Sequence, residues 1–112
     1  MVFQYAPDIA KAFITASRSG LDGARAYNMP GTLASIDELI DLIDRHVPGA
    51  ADLISHDPEP LPFPEAIDAS GVRELGDIPV TPLDDAIGQS VALFRELMAR
   101  GRLAGSEHGL AA

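Results

Sequence analysis

Between Asp57 and Pro64 every second residue is proline: Pro58, Pro60, Pro62 and Pro64. Each proline fixes its own φ and lacks a backbone N–H, so no helix and no central strand runs through this stretch. The segment is therefore extended and irregular. Leu61 and Phe63, set between the prolines, are apolar and suit a segment lying against the body of a domain. A free linker carries no such side chains. Whatever this chain folds into is built from regular elements on either side of the proline run.

Three helices are predicted around it. Pro7 followed by Asp8 marks a helix start, because proline tolerates the missing N–H there and an acid suits the positive helix end. Ile9, Ala12, Phe13 and Ala16 follow at helical spacing, and Ser19, Gly20, Asp22 and Gly23 break the pattern. Ser35 and Glu38 form a Ser-x-x-Glu capping box, and Ile36, Leu39, Ile40, Ile43 and Val47 make one apolar stripe behind it. Pro48 and Gly49 end that helix. In the last helix Thr81 is predicted as N-cap, Pro82 in the first turn and Asp84 at the capping-box position. Leu83, Ile87, Val91, Phe94 and Met98 form its apolar stripe, and Gly101 its stop. Short strands are predicted at Ala24–Met29 and Ala51–Ile54, and a short helix from Asp68 or Ser70 to about Gly76. If these two strands share one sheet they are expected to run parallel, with a right-handed crossover through the Ser35 helix; the alternative is that they belong to different sheets. The tail, 104–112, has little to bury and is expected to fray.

Constellations of reactive residues are sparse. His46, His56 and His108 lack metal-ligand spacing, and no cysteine joins them. His46 suits a helix C-terminus, where imidazolium meets the negative end of the dipole. Asp37, Glu38, Asp41 and Asp44 read as a solvated helix face, and Asp84 and Asp85 as helix-start charges. There is no Gly-x-Ser-x-Gly elbow, and Gly20 and Gly23 do not open a helix behind a strand as a dinucleotide fingerprint must. The residues four places after Tyr5 and Tyr27 are Ile9 and Gly31, so neither tyrosine heads a Tyr-x-x-x-Lys pair. No catalytic residue and no metal site is assigned.

Charge narrows the partners. The formal charge is −9, with Lys11 as the single lysine and seven scattered arginines. Nucleic acid and anionic membrane surfaces repel such a chain. With no cysteine, disulfides, thiolate catalysis and Cys-based zinc sites are excluded, which fits a reducing, cytoplasmic setting. The 112 residues suffice for one small domain with little margin in its core.

Three stretches taken in order carry a family resemblance: FQYAPDIAKAF, ARAYNMPGTLASIDELIDLI and PLPFPEAIDASGVRELGDIPVTPLDDAIGQSVALFREL. Together they resemble the C-terminal portion of the extended short-chain dehydrogenase/reductase family, the NAD-dependent epimerase/dehydratase group. Tyr27 and Asn28 match the Tyr-Asn that closes a strand in that family. The helix from Ser35 to Ile43 matches its Ser-x-x-Glu-Leu helix. Asp68, Ser70, Leu75 and Gly76 match its Asp-x-Ser…Glu-Leu-Gly region, and Thr81, Leu83 and Ile87 its Thr-x-Leu-x-x-x-Ile helix start. The family's glycine motif and catalytic Tyr-Lys pair lie upstream of this region and are absent here.

The resemblance implies an α/β fold: a small mixed domain over residues 1–103, dominated by three helices with two or three short strands. It also implies the role of a substrate-binding portion, inactive alone, of an enzyme acting on a sugar nucleotide or small polyol derivative. Tyr5, Asn28 and Pro30 would sit nearest the cleft, and Arg73 is the candidate anion contact. NAD or NADP would be held by the nucleotide-binding part, not by this chain. Family members acting on nucleotide sugars commonly carry an arginine just before the Asp-x-Ser region; here Glu65 stands in an arginine-free PLPFPEAID, which brings smaller polyol or acid derivatives into consideration. The alternative is a stand-alone binding or oligomerisation module. In either case a homo-oligomer is expected, through an exposed Ala24–Met29 strand edge or a swapped N-terminal segment.

Overall fold

The computed structural model of the chain describes residues 1–103; the expected frayed tail and His108 lie outside the described residues. Strand β1 (Val2–Phe3) leads into helix α1 (Ala6–Arg18). Strand β2 (Thr32–Leu33) precedes helix α2 (Ile36–His46), two 3₁₀ turns follow at Ala50–Leu53 and Ser70–Glu74, and helix α3 (Leu83–Ala99) closes the order. The architecture is mixed α/β, with three helices and a two-stranded antiparallel sheet. Val2 pairs with Leu33 and Phe3 with Thr32. A Cβ at Gly31 would strike the Phe3 carbonyl oxygen, so glycine is what lets the loop enter β2 so close to β1.

The strands are not where the sequence pattern puts them. Ala24–Met29 has no ladder partner, and Ala50–Leu53 is a 3₁₀ turn. The pair that forms is antiparallel, not parallel, and it uses residues on either side of the predicted strand. Hydrogen bonding accounts for both shifts: side chains tether the first segment across 40–49 residues, and a local turn reshapes the second. Arg25 Nη1 bonds Glu74 at 2.6 Å, Tyr27 Oη donates to the other Glu74 oxygen at 2.9 Å, and Asn28 Nδ2 donates to the Asp68 carbonyl at 2.9 Å. The segment is thus held by its side chains along the Ser70–Glu74 turn. After α2, one Asp44 oxygen accepts the N–H groups of Gly49 and Ala51, both at 3.0 Å, and Gly49 takes a left-handed φ of 88°. That reversal winds Ala50–Leu53 into a turn before a strand can start.

The helices follow their local signals closely. In α1, Pro7 and Asp8 occupy the first turn, and the extended Tyr5 is the N-cap residue. In α2 the capping box is complete: Ser35 Oγ accepts the Glu38 N–H at 3.1 Å, and Glu38 Oε2 accepts the Ser35 N–H at 2.7 Å. The Ser35 backbone N–H is the main reason the Glu38 carboxyl is held below its ordinary pKa. For α3 the N-cap residue is Pro82 and not Thr81. Thr81 is drawn away by Asp8, whose carboxylate accepts the Thr81 N–H at 2.6 Å and the Thr81 hydroxyl at 2.9 Å. This joint ties the start of α1 to the start of α3.

The core is thin. Ala12, Ala50, Val72 and Ala86 are buried, Asp8 is 5% exposed, and among the described residues no large side chain is fully enclosed. Phe13, on the apolar spacing of α1, is 68% exposed. No helix among the described residues is long and apolar enough to cross a membrane.

Candidate functional site

A groove of ≈ 340 Å³ runs between β1, α2 and α3. The short sheet brings Phe3 and Thr32 to one wall, with Gln4 and Tyr5 just beyond β1. Ile43 contributes from the apolar stripe of α2. The opposite wall is α3, through Leu83, Ile87, Val91 and Phe94, which recur at helical spacing and so project on one face.

Polar groups at its margin are already engaged. Tyr5 Oη donates to Gln89 Oε1 at 3.2 Å, Ser90 Oγ donates back to the Ala86 carbonyl at 2.7 Å, and Thr81 is held by Asp8. No Asp, Glu, Lys, Arg or His lines the groove. An anion has no counter-charge there, and proton transfer has no carboxylate or imidazole to use. The site is built to cover apolar surface.

A second cavity, ≈ 490 Å³, lies between the proline-rich segment and the start of α2. Leu61 and Phe63 form part of its wall, as apolar residues among the prolines require, yet both stay largely exposed. His56 fastens its edge. Its Nε2 lies 2.9 Å from Asp37 Oδ1 and its Nδ1 3.0 Å from the Asp57 carbonyl oxygen. Both partners accept only, so the imidazolium, with two N–H donors, satisfies the pair of contacts. Those contacts, the Asp37 carboxylate first, raise the His56 pKa above its ordinary value. Asp57, Glu59 and Glu65 complete an acidic surround, but no group of three ligating side chains is placed to hold a metal among the described residues.

The third cluster is the Ser70–Glu74 turn. Burial, reinforced by the Glu74 carboxylate, raises the pKa of the Tyr27 phenol. Asp68 is held below the ordinary carboxylate range, chiefly by the Ser70 N–H and to a lesser degree by the charge of Arg73. Asn28 and Arg73 therefore share this side of the molecule, with the Asn28 amide given to the Asp68 carbonyl and Arg73 exposed on the turn. Pro30 follows Met29, whose carbonyl accepts from Gln4 Nε2 at 2.8 Å. Of the four residues expected at one cleft, only Tyr5 lines the groove; Asn28, Pro30 and Arg73 line neither cavity.

Two further clusters lie outside the sequence reading. His46 does end α2, but its Nε2 also reaches Asp84 Oδ1 at 2.9 Å, and its ring packs where a Cβ of Gly88 would stand. The acidic face of α2 is more than solvated charge: Asp37 holds His56, Glu38 caps the helix and Asp44 binds the following turn. No sequence spacing signals the His56–Asp37 or His46–Asp84 pairs. No family model, curated protein or solved structure matches the chain.

Proposed function

We propose that the chain is the substrate-side, C-terminal portion of an extended short-chain dehydrogenase/reductase of the epimerase/dehydratase type. Its substrate class is a sugar nucleotide or a small polyol derivative, and it is inactive alone. Hydride transfer needs a bound nicotinamide with an acid/base group beside it, and NAD or NADP belongs to a nucleotide-binding part that these residues do not supply.

One observation carries the reading. Ala24–Met29 is fixed in place by Arg25, Tyr27 and Asn28, yet it has no ladder partner among the described residues. An extended segment tethered only by its side chains fits a strand position whose neighbours come from another part of an enzyme. The thin core and the exposed Phe13 and Ile14 on α1 point the same way.

The test has two arms. Calorimetry of the chain with NAD and NADP is expected to show no saturable binding at micromolar ligand. Amide chemical-shift mapping with millimolar UDP-glucose and with a small polyol phosphate is expected to perturb Asn28 and Arg73, which share the Ser70–Glu74 side of the molecule. Stoichiometric NAD binding, or shifts confined to other residues, overturns the proposal.

A second reading, a stand-alone association module, is favoured by a different observation: the apolar stripe of α3 stays open at its C-terminal half, with Phe94 56% and Met98 55% exposed.

A further inference from the structure

We propose that two copies of this chain associate through α3, packed antiparallel about a two-fold axis near residues 92 and 93. Phe94 then lies against the partner's Val91, and Met98 against the partner's Ile87, at the mouth of the groove. This association does not depend on the enzymatic reading.

Three observations select a second copy as the occupant. The first is self-complementarity. Ile87, Val91, Phe94 and Met98 lie on one face of a 17-residue helix, about 25 Å long. Ile87 and Met98 stand equally far from the centre of this stripe, as do Val91 and Phe94. Turning the helix end over end therefore sets Phe94 against the smaller Val91 and Met98 against the similar-sized Ile87, a self-matching pattern that an isologous interface requires.

The second is charge. The N-terminal end of α3 carries Asp84, already met by His46, and Asp85; beyond its C-terminal end stand Arg100, paired with Glu96 at 2.6 Å, and Arg102. Among the described residues Arg102 has no ion-pair partner. An antiparallel arrangement brings the acidic end of one helix beside the partner's Arg102 and opposes the two helix dipoles. A parallel one stacks like charges. The groove itself contributes no charge to be desolvated.

The third is area. A compact protein of 11.8 kDa exposes about 5,900 Å², and this chain exposes 8484 Å². Setting aside ~1,200 Å² for residues 104–112, the unfolded-chain area of their mass, still leaves an excess of about 1,400 Å². A standard interface takes about 800 Å² from each partner, so the surplus is large enough. The net charge of −9 per copy opposes the pairing, and because that repulsion is screened over about 8 Å at physiological ionic strength, added salt strengthens the dimer.

The chain contains no cysteine, which makes cross-linking decisive. In sedimentation velocity at tens of micromolar and 0.15 M salt the full chain is expected to run as a dimer. Phe94→Glu raises the dissociation constant on the order of 30-fold or more, as loss of a central anchor does, with the far-ultraviolet spectrum unchanged. Leu93→Glu, on another face of the same helix, leaves the dimer intact. With oxidised glutathione, the Ile87→Cys/Met98→Cys double variant gives a disulfide-linked dimer and neither single variant does. Within one helix those positions are about 16 Å apart and cannot join. A monomer at 100 micromolar overturns the proposal, as does a Met98→Cys single variant that cross-links as well as the double variant, since that requires parallel helices.

Discussion

Removing the Asp8 carboxylate is expected to cost more stability than any single apolar truncation in this chain. Asp8 is 5% exposed and accepts two hydrogen bonds from Thr81, one from the backbone N–H at 2.6 Å and one from the hydroxyl at 2.9 Å. A hydrogen bond to a charged group contributes about 1.5–3 kcal/mol, and the two share one carboxylate, so they do not add in full. The position in the first turn of α1 adds about 0.3–1 kcal/mol through the helix dipole. Asp8→Ala leaves both Thr81 donors without an acceptor in a part-buried site, and the expected loss is about 2–4 kcal/mol. Thr81→Val removes only the hydroxyl and costs about 1 kcal/mol. A 112-residue domain holds about 6–17 kcal/mol in total, so the Asp8 change removes a large share of it. Urea unfolding followed by circular dichroism reads the effect as a lower midpoint at unchanged slope. The double variant should lose about 1 kcal/mol less than the two singles combined. An Asp8→Ala midpoint equivalent to under 0.5 kcal/mol of wild type (roughly the level of an ordinary surface change), or strictly additive losses, would refute the idea that this joint fastens α1 to α3.

Two other changes test the side-chain pairs. The His56 pKa is raised in the folded chain by Asp37 and the Asp57 carbonyl. Its stabilising contribution is therefore fully present below the unfolded value of about 6.5 and is lost as pH rises through the higher folded value. Proton NMR titration of His56 should place its midpoint above that of a free imidazole, Asp37→Asn should lower it, and an unchanged midpoint in the variant would break the assignment. Gly88→Ala, which in an exposed helix gains about 1 kcal/mol, should instead be neutral or destabilising, because the new Cβ falls 2.8 Å from His46 Cε1 while Asp84 pins the ring. In a His46→Ala background the same change should recover its ordinary gain, and thermal melts of the four proteins decide it.

Where a signal is contained within four residues, it is legible. Ser35 and Glu38 cap each other whatever the rest of the chain does, and α2 begins where they put it. The Pro7–Asp8 start of α1 is similarly local. Thr81 looks like an N-cap by the same logic, but the carboxylate that takes its hydroxyl is 73 residues away in sequence, and no local pattern carries that information. A two-residue strand has no periodicity to read, so β1 and β2 leave no trace, whereas Ala24–Met29 alternates well enough to suggest a strand that does not form. The groove was half visible. The stripe on α3 is plain in the sequence, but the wall provided by Phe3, Thr32 and Ile43 depends on how distant elements meet. Asn28 shows why residue type alone does not define a site: its amide serves the Asp68 carbonyl.

The Asp8–Thr81 and Tyr5–Gln89 bonds span 73 and 84 residues, whereas the α2 cap and the Asp44 turn close within 3 to 7. Loop-closure entropy grows with the length closed, so the order in which these contacts form is biased. The contacts of the segment from Ser35 to Leu53 close over short loops. The Asp8–Thr81 joint closes a loop of 73 residues, so it is expected to form after the short-range contacts. Weakening this joint should therefore act mainly by hastening unfolding and should leave the rate of folding nearly untouched.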